Sequence, residues 1–349
     1  MTITEDRSNA VAALDRPTDD GGMDVADGWR SRGMRELGPD SMRRFRAVER
    51  RFLEVTAARG FEEVRTPTIE PLHLYTTAGA LSPQLLDRAY SFLDWDGWSG
   101  ERVVLRPDAT VPVARWFGGS GRATARVCYV EPVYRFEPGD ANREIWQCGV
   151  ELFGLPASEG DPELLAVALE LLEALGIGER MVDLGHAGLA RAVLAAAGMD
   201  ATAQIAAYDR MLEGDATLID ELSAARPESA GALQLLAAVD GDSAGYVANL
   251  RTAMLPLAPG AAQALDELET VARSLDEAGA GYRILPGTAR SMEYYSGVTF
   301  RISANGAECV SGGRYDGLTE SVGGMAAPAC GFGADLLRLA TVAANGGAA

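Results

Sequence analysis

Lysine is absent from this 349-residue chain, and all 31 basic side chains are arginine. A Walker-type phosphate loop, a pyridoxal-phosphate Schiff base and a Schiff-base aldolase each need a lysine amine, so those classes are excluded. Histidine occurs only at His73 and His186, which removes a His-rich metal centre and an H-E-x-x-H protease. The four cysteines (Cys128, Cys148, Cys309 and Cys330) lack C-x-x-C spacing. They predict reduced thiols in a cytoplasmic protein, not a zinc ribbon or a redox pair. No metal and no cofactor is expected. The first residues are acidic and have no apolar segment, so no signal peptide is expected, and no run of about 18 apolar residues could span a membrane. Positive charge is short overall: 50 acids against 31 arginines leave a net charge of −19, which argues against a nucleic-acid partner.

What remains is ordinary globular material, long enough for one large or two modest domains. The acidity is unevenly placed. Residues 1–28 carry seven acids and two arginines without apolar periodicity, and are expected to form a disordered tail. Residues 181–280 carry fifteen acids and five arginines, whereas the rest of the chain is nearly balanced.

Periodicity supplies the elements. Pro39-Asp40-Ser41 offers a helix cap, and Met42, Phe45, Val48, Phe52 and Val55 follow at helical spacing until Gly60. Phe61 to Pro71 alternates like one strand, as do 102–106, 126–137 and 146–154; a Pro138-Gly139-Asp140 turn makes the last two a hairpin. Asp161-Pro162 is expected to cap a helix reaching Gly176. From about 187 to 278 the chain is rich in alanine and leucine and predicts an inserted helical module whose faces carry no chemistry. Strand patterns return at 281–285, 294–302 and 306–311, then a Gly-rich stretch 312–333 leads to a final helix. Strands, helices and strands again predict an α+β fold, an antiparallel sheet with a helical insertion.

Three clusters could carry chemistry. Arg106-Pro107-Asp108-Ala109-Thr110 places an acid and a hydroxyl at a helix start; a simple turn and cap would look the same. Across the hairpin, Val133, Arg135 and Glu137 share a face with Gln147, Gly149, Glu151 and Phe153. Gly149 would leave room for a ligand against the sheet, with arginine suited to a carboxylate and acids and amides to an amino group. A solvated face with cross-strand ion pairs is the competing reading. The third cluster joins Thr288 through Gly297 to Ser311-Gly312-Gly313-Arg314-Tyr315-Asp316-Gly317-Leu318. Its glycines allow close approach or positive φ, and a turn with a structural arginine salt bridge is the alternative.

In order, these pieces resemble the core of the class II aminoacyl-tRNA synthetases, specifically histidyl-tRNA synthetase. The helix running into Gly60 through Pro71 looks like motif 1, the dimer-forming element. Tyr134-Arg135-Phe136-Glu137 through Gln147-Cys148-Gly149-Val150-Glu151 looks like motif 2, and Ala329 through Arg338 like motif 3. Arg290 to Tyr295 and Gly312 to Leu318 match the two histidine-specific motifs. The similarity spans residues 29–340, so the whole core from 29 to 345 is expected to be class II synthetase-like.

The resemblance implies a histidine pocket. Asp108 and Thr110 would hold the amino group, although the synthetase usually has Glu followed by Gly there. Arg135 would face the carboxylate, and Gln147 and Glu151 the amino group and ring. Arg290, Tyr294 and Tyr295 would close over the ligand.

The nucleotide and tRNA parts depart from the family. The motif 2 loop is short with a single arginine, Arg143, and Asp335 stands where the family has a glycine beneath adenine. Eleven residues follow Arg338, too few for an anticodon-binding domain. This pattern is similar to the regulatory subunits of ATP phosphoribosyltransferase, synthetase paralogues of histidine biosynthesis. It implies a non-catalytic subunit that binds L-histidine, forms a homodimer within a hetero-oligomer, and regulates a short-form catalytic subunit. A truncated ligase activating histidine with ATP, or a sensor for another partner, are the alternatives.

Overall fold

The computed structural model describes residues 29–77, 88–95, 98–136, 141–212, 215, 217–237, 241–287 and 294–346. The acidic segment 1–28 lies outside the described residues.

The strands are β1 (Glu62–Glu63), β2 (Ile69–Pro71), β3 (Ser91–Trp95), β4 (Gly100–Leu105), β5 (Ala125–Tyr134), β6 (Glu144–Phe153), β7 (Arg180–His186), β8 (Tyr282–Ile284), β9 (Val298–Ala304), β10 (Ala307–Arg314) and β11 (Ala329–Asp335). Eight form one sheet in the order β1-β5-β6-β11-β10-β9-β7-β8, and β2-β4-β3 form a second. In the large sheet β1–β5 and β7–β8 are parallel and the other neighbours antiparallel. The architecture is the expected α+β.

The expected hairpin is β5–β6, registered from Tyr134 opposite Glu144 to Ala125 opposite Phe153. Its two faces serve different purposes. Cys128, Val130, Cys148, Val150 and Leu152 join the main apolar core with helices Pro39–Ala58, Ala157–Ala174 and Leu336–Gly346. Val127, Tyr129, Val133 and Phe153 face the other way, toward helix Thr110–Ser120. Helix Pro39–Ala58 buries Phe45, Val48, Phe52 and Val55 at the predicted spacing. Burying each is worth about 1.5–3 kcal/mol, which accounts for docking a helix whose other faces are charged.

Several expectations are corrected. Pro39-Asp40-Ser41 is not the cap: Gly38 is, and Pro39 occupies the first helical position, where its missing N–H costs nothing. Asp161-Pro162 likewise lies inside helix Ala157–Ala174, because buried Asp161 pairs with Arg314 instead of capping. Phe61 to Pro71 is two short strands in different sheets, separated where the Thr66 N–H and hydroxyl both turn to Glu131. Strands β3 and β7 were not anticipated. Nor was β11, hidden in the Gly-rich stretch 312–333, although it is central to the sheet.

After β7 the described residues form six α-helices and two short 3-10 helices between Ala187 and Glu277, and the chain then returns as β8 parallel to β7. These helices share the main apolar cluster: Leu265, Leu268 and Leu275 pack with Val182, Leu184 and Phe300.

Candidate functional site

Glu151 is the centre of a buried polar pocket. It lies on β6 with no exposed surface, opposite Val127 on β5 and Gly331 on β11. One carboxyl oxygen accepts from the Thr110 hydroxyl at 2.8 Å, and the other accepts from the Tyr315 hydroxyl. Burial, with the nearby Asp108 charge, pushes its pKa up to about 8, against the pull of those hydroxyls. At neutral pH it is therefore a neutral acid, able to donate as well as accept.

Glycine makes this placement possible. A Cβ at Gly331 would stand 1.6 Å from the Glu151 carboxyl oxygen, and one at Gly333 would stand 2.1 Å from the Gln147 amide nitrogen. Strand β11 thus presents a bare backbone floor beneath both side chains, while Phe332 between them points into the core. Gly149 was expected to leave room for a ligand. Its space is instead filled by Tyr129, whose ring carbon and hydroxyl would lie 2.4 Å from a Cβ there.

Asp108 comes from the turn before helix Thr110–Ser120, and Thr110 is the first residue of that helix. Asp108 accepts from the Val111 N–H at 3.0 Å, so its carboxylate holds the first turn of that helix while lying buried beside Glu151. Burial raises its pKa, opposed by Arg135. Arg135 donates through Nε to the Pro107 carbonyl at 2.8 Å, fixing the guanidinium beside the same turn. The side-chain oxygen of Gln147 is buried without a hydrogen-bond partner among the described residues. A buried orphaned oxygen is costly, and a polar ligand could satisfy it.

The wall is aromatic. Tyr294 packs edge-on against Tyr295 at 5.0 Å and Tyr315 at 5.5 Å between ring centroids. Burial and the neighbouring carboxyls hold the Tyr294 and Tyr315 hydroxyls well above their usual pKa, so both are neutral donors.

Asp108, Thr110, Arg135, Gln147, Glu151, Tyr294 and Tyr295 are therefore brought to one face of the hairpin, with Arg135 toward its turn end and Glu151 toward the other. Arg290 and Glu137 lie outside the described residues. Tyr315, Tyr129 and the glycine floor were missed as site residues; the signal for Tyr315 was its place directly after Gly312-Gly313-Arg314. Arg314 itself takes the structural reading. It is buried, ion-paired to Asp161 at 2.7 Å and to Asp316 at 2.8 Å. Gly312 and Gly313 serve close backbone approach, not positive φ.

The positions expected to meet nucleotide are otherwise engaged. The Arg143 guanidinium lies 4.1 Å from the Phe136 ring centroid and reaches the Tyr90 hydroxyl at 3.4 Å. Asp335 accepts from the Leu337 N–H at 2.9 Å and the Arg338 N–H at 3.3 Å, capping the final helix. Among the described residues, no group of three His, Cys, Asp or Glu could hold a metal, and no helix is long and apolar enough to cross a membrane.

Comparison with known proteins agrees with this fold. The family model described as histidyl-tRNA synthetase matches residues 33–339. An ATP phosphoribosyltransferase regulatory subunit of Dehalococcoides mccartyi is 42% identical over 314 residues, covering 89% of this chain and 76% of the relative. One from Anaeromyxobacter dehalogenans is 34% identical over 315 residues, covering 87% and 88%. Among solved structures, a Bacillus halodurans protein titled ATP phosphoribosyltransferase regulatory subunit/histidyl-tRNA synthetase superposes with a TM-score of 0.78 at 25% identity, covering 90% of this chain and 82% of that one. A histidine–tRNA ligase subunit from Alicyclobacillus acidocaldarius gives 0.75 at 28% identity, covering 90% and 97%.

Proposed function

The chain belongs to the ATP phosphoribosyltransferase regulatory subunits, a family built on the histidyl-tRNA synthetase fold, and from that premise we propose that it binds free L-histidine and reports it to a short-form catalytic subunit. The observation that carries this reading is the pocket around Glu151. A free amino acid needs an anion for its ammonium group, a cation for its carboxylate and a polar aromatic slot for its ring. Asp108 and Thr110, Arg135, and Glu151 with Tyr294 and Tyr315 offer those three in one place.

The chain performs no ligase step of its own in this reading. Support comes from Arg143, stacked on Phe136, and from Asp335, a carboxylate at the start of the final helix, where nucleotide phosphates would meet like charge. Regulation then needs only that histidine favour one assembly state over another.

The regulatory chain forms a homodimer that the catalytic subunits join. Support for the homodimer comes from the small sheet, where Ile69, Phe92, Leu93 and Trp95 are all exposed. Ile69 and Phe92 lie on one side of that sheet and Leu93 and Trp95 on the other, so apolar surface is left uncovered on both sides for a second copy to bury.

Calorimetry with L-histidine tests the pocket: saturable binding by wild type and its loss in Arg135→Ala are expected, and no binding by wild type overturns the reading. ATP–pyrophosphate exchange dependent on histidine would favour a ligase. Co-purification with a short phosphoribosyltransferase chain whose activity responds to histidine tests the partner.

A further inference from the structure

The helical stretch after β7 was expected to carry no chemistry, yet its first helix, Ala187–Ala196, touches the pocket's aromatic wall. Arg191 on that helix donates through Nη1 to the backbone carbonyl of Tyr295 at 3.2 Å. Tyr295 lies just before β9, outside the sheet ladder, so its carbonyl takes its donor from a side chain. The same guanidinium lies 5.3 Å from the ring centroid of Tyr208 on helix Ala201–Leu212, in cation–π range.

The neighbouring contacts grip the same segment from both sides. The Ala187 N–H donates to the Gly297 carbonyl at 2.9 Å, and the Ser296 N–H donates to the Arg314 carbonyl at 2.8 Å. Asp316 N–H donates to the Ser296 hydroxyl at 3.0 Å. His186, the cap of helix Ala187–Ala196, accepts from the Gly188 N–H at 3.0 Å and meets Glu267 at 2.9 Å, which ties that cap to helix Ala262–Glu277. One packed chain of groups therefore runs from Glu151 through Tyr315, Tyr294 and Tyr295 to Arg191 and Tyr208.

We propose that Arg191 is a positioning residue that holds the Tyr294–Tyr295 pair in place and couples the pocket to the helices after β7 through Tyr208. Whatever shifts helix Ala201–Leu212, a docked protein included, shifts the tyrosine wall. By reciprocity, a ligand closing that wall shifts the helix. The ligand-affinity part of this inference rests on the histidine reading of the pocket; the positioning part does not.

Hydrogen exchange on the ligand-free full-length chain separates the two. Arg191→Gln and Tyr208→Leu should each speed exchange at Ser296 and Gly297 about tenfold, an opening cost lower by about 1.4 kcal/mol, and leave Ala125–Tyr134 unchanged. Calorimetry should then show both variants binding L-histidine about tenfold more weakly, with Arg191→Lys restoring part of the loss because an amine still reaches the carbonyl. Exchange unchanged in both variants overturns the positioning role. Faster exchange with undiminished affinity overturns the coupling. Faster exchange in a chain whose wild type binds no histidine supports the positioning role and overturns the pocket reading alone.

Discussion

Glu131 and Glu151 stand on neighbouring strands of one hairpin, face the same side of the sheet and are equally inaccessible, each at most 1% exposed. Their surroundings differ in one respect. Glu131 is compensated by a full charge: Arg106 lies 2.6 Å away, and the Thr66 hydroxyl adds a bond at 2.9 Å. Arg106 is itself saturated by the carbonyls of Thr66, Pro67 and Pro132, so this cluster closes on itself. Among the described residues, Glu151 has only hydroxyl donors and no cation against it. The first arrangement ties the Thr66–Pro67 segment to the sheet. The second leaves hydrogen-bonding capacity unspent, the condition for receiving a ligand.

The largest effect is expected from breaking the compensated pair. Arg106→Met should cost about 3–5 kcal/mol in urea unfolding, because Glu131 would remain buried without its cation. A much smaller loss would mean that the two carboxylates are not so different.

Gly331→Ala tests the uncompensated side sterically. A methyl group there collides with the Glu151 carboxyl, so about 1–3 kcal/mol of stability and the histidine affinity should fall together in unfolding and calorimetry. Glu151→Gln is subtler, since shape is kept and the acid removed. Histidine affinity should drop by about 2 kcal/mol, roughly thirtyfold, in calorimetry.

The stability of Glu151→Gln should move the other way. The folded carboxyl titrates near pH 8, against an ordinary value of 4.5. Between those values the folded state keeps a proton that the unfolded state has released, so wild-type stability falls as pH rises through this window. The variant's thermal midpoint should match wild type below about pH 4.5 and exceed it increasingly up to about pH 8. An unchanged difference across that range would remove the raised carboxyl from the account. The smallest effect belongs to an exposed pair: Arg51→Ala, losing its 2.8 Å contact with Glu54, should change unfolding free energy by less than about 0.5 kcal/mol.

Legibility in the sequence followed the locality of the signal. Helix Pro39–Ala58 was readable because one apolar stripe repeats within twenty residues. The hairpin was readable because Pro138-Gly139-Asp140, which lie outside the described residues, are turn-forming types between two alternating segments. Strand β11 was not, because Gly331 and Gly333 break the strand pattern for the sake of Glu151 and Gln147, residues some 180 positions away in the chain. For the same reason Tyr129 was overlooked: only cross-strand register shows that it fills the space above Gly149. Arg191 lay in a stretch whose composition suggests nothing but helix.

By itself the sequence determined the α+β class and the family, since residue type, order and short-range period carry those directly. It also determined that no lysine chemistry operates here. Tertiary structure decided which buried acids face a cation and which do not. Arg314 became an ion-pair partner of Asp161, Arg106 closed on Glu131, and Glu151 was left among hydroxyls. That division depends on distances of about 3 Å between residues far apart in the chain, and electrostatic energies inside a protein are set at that range.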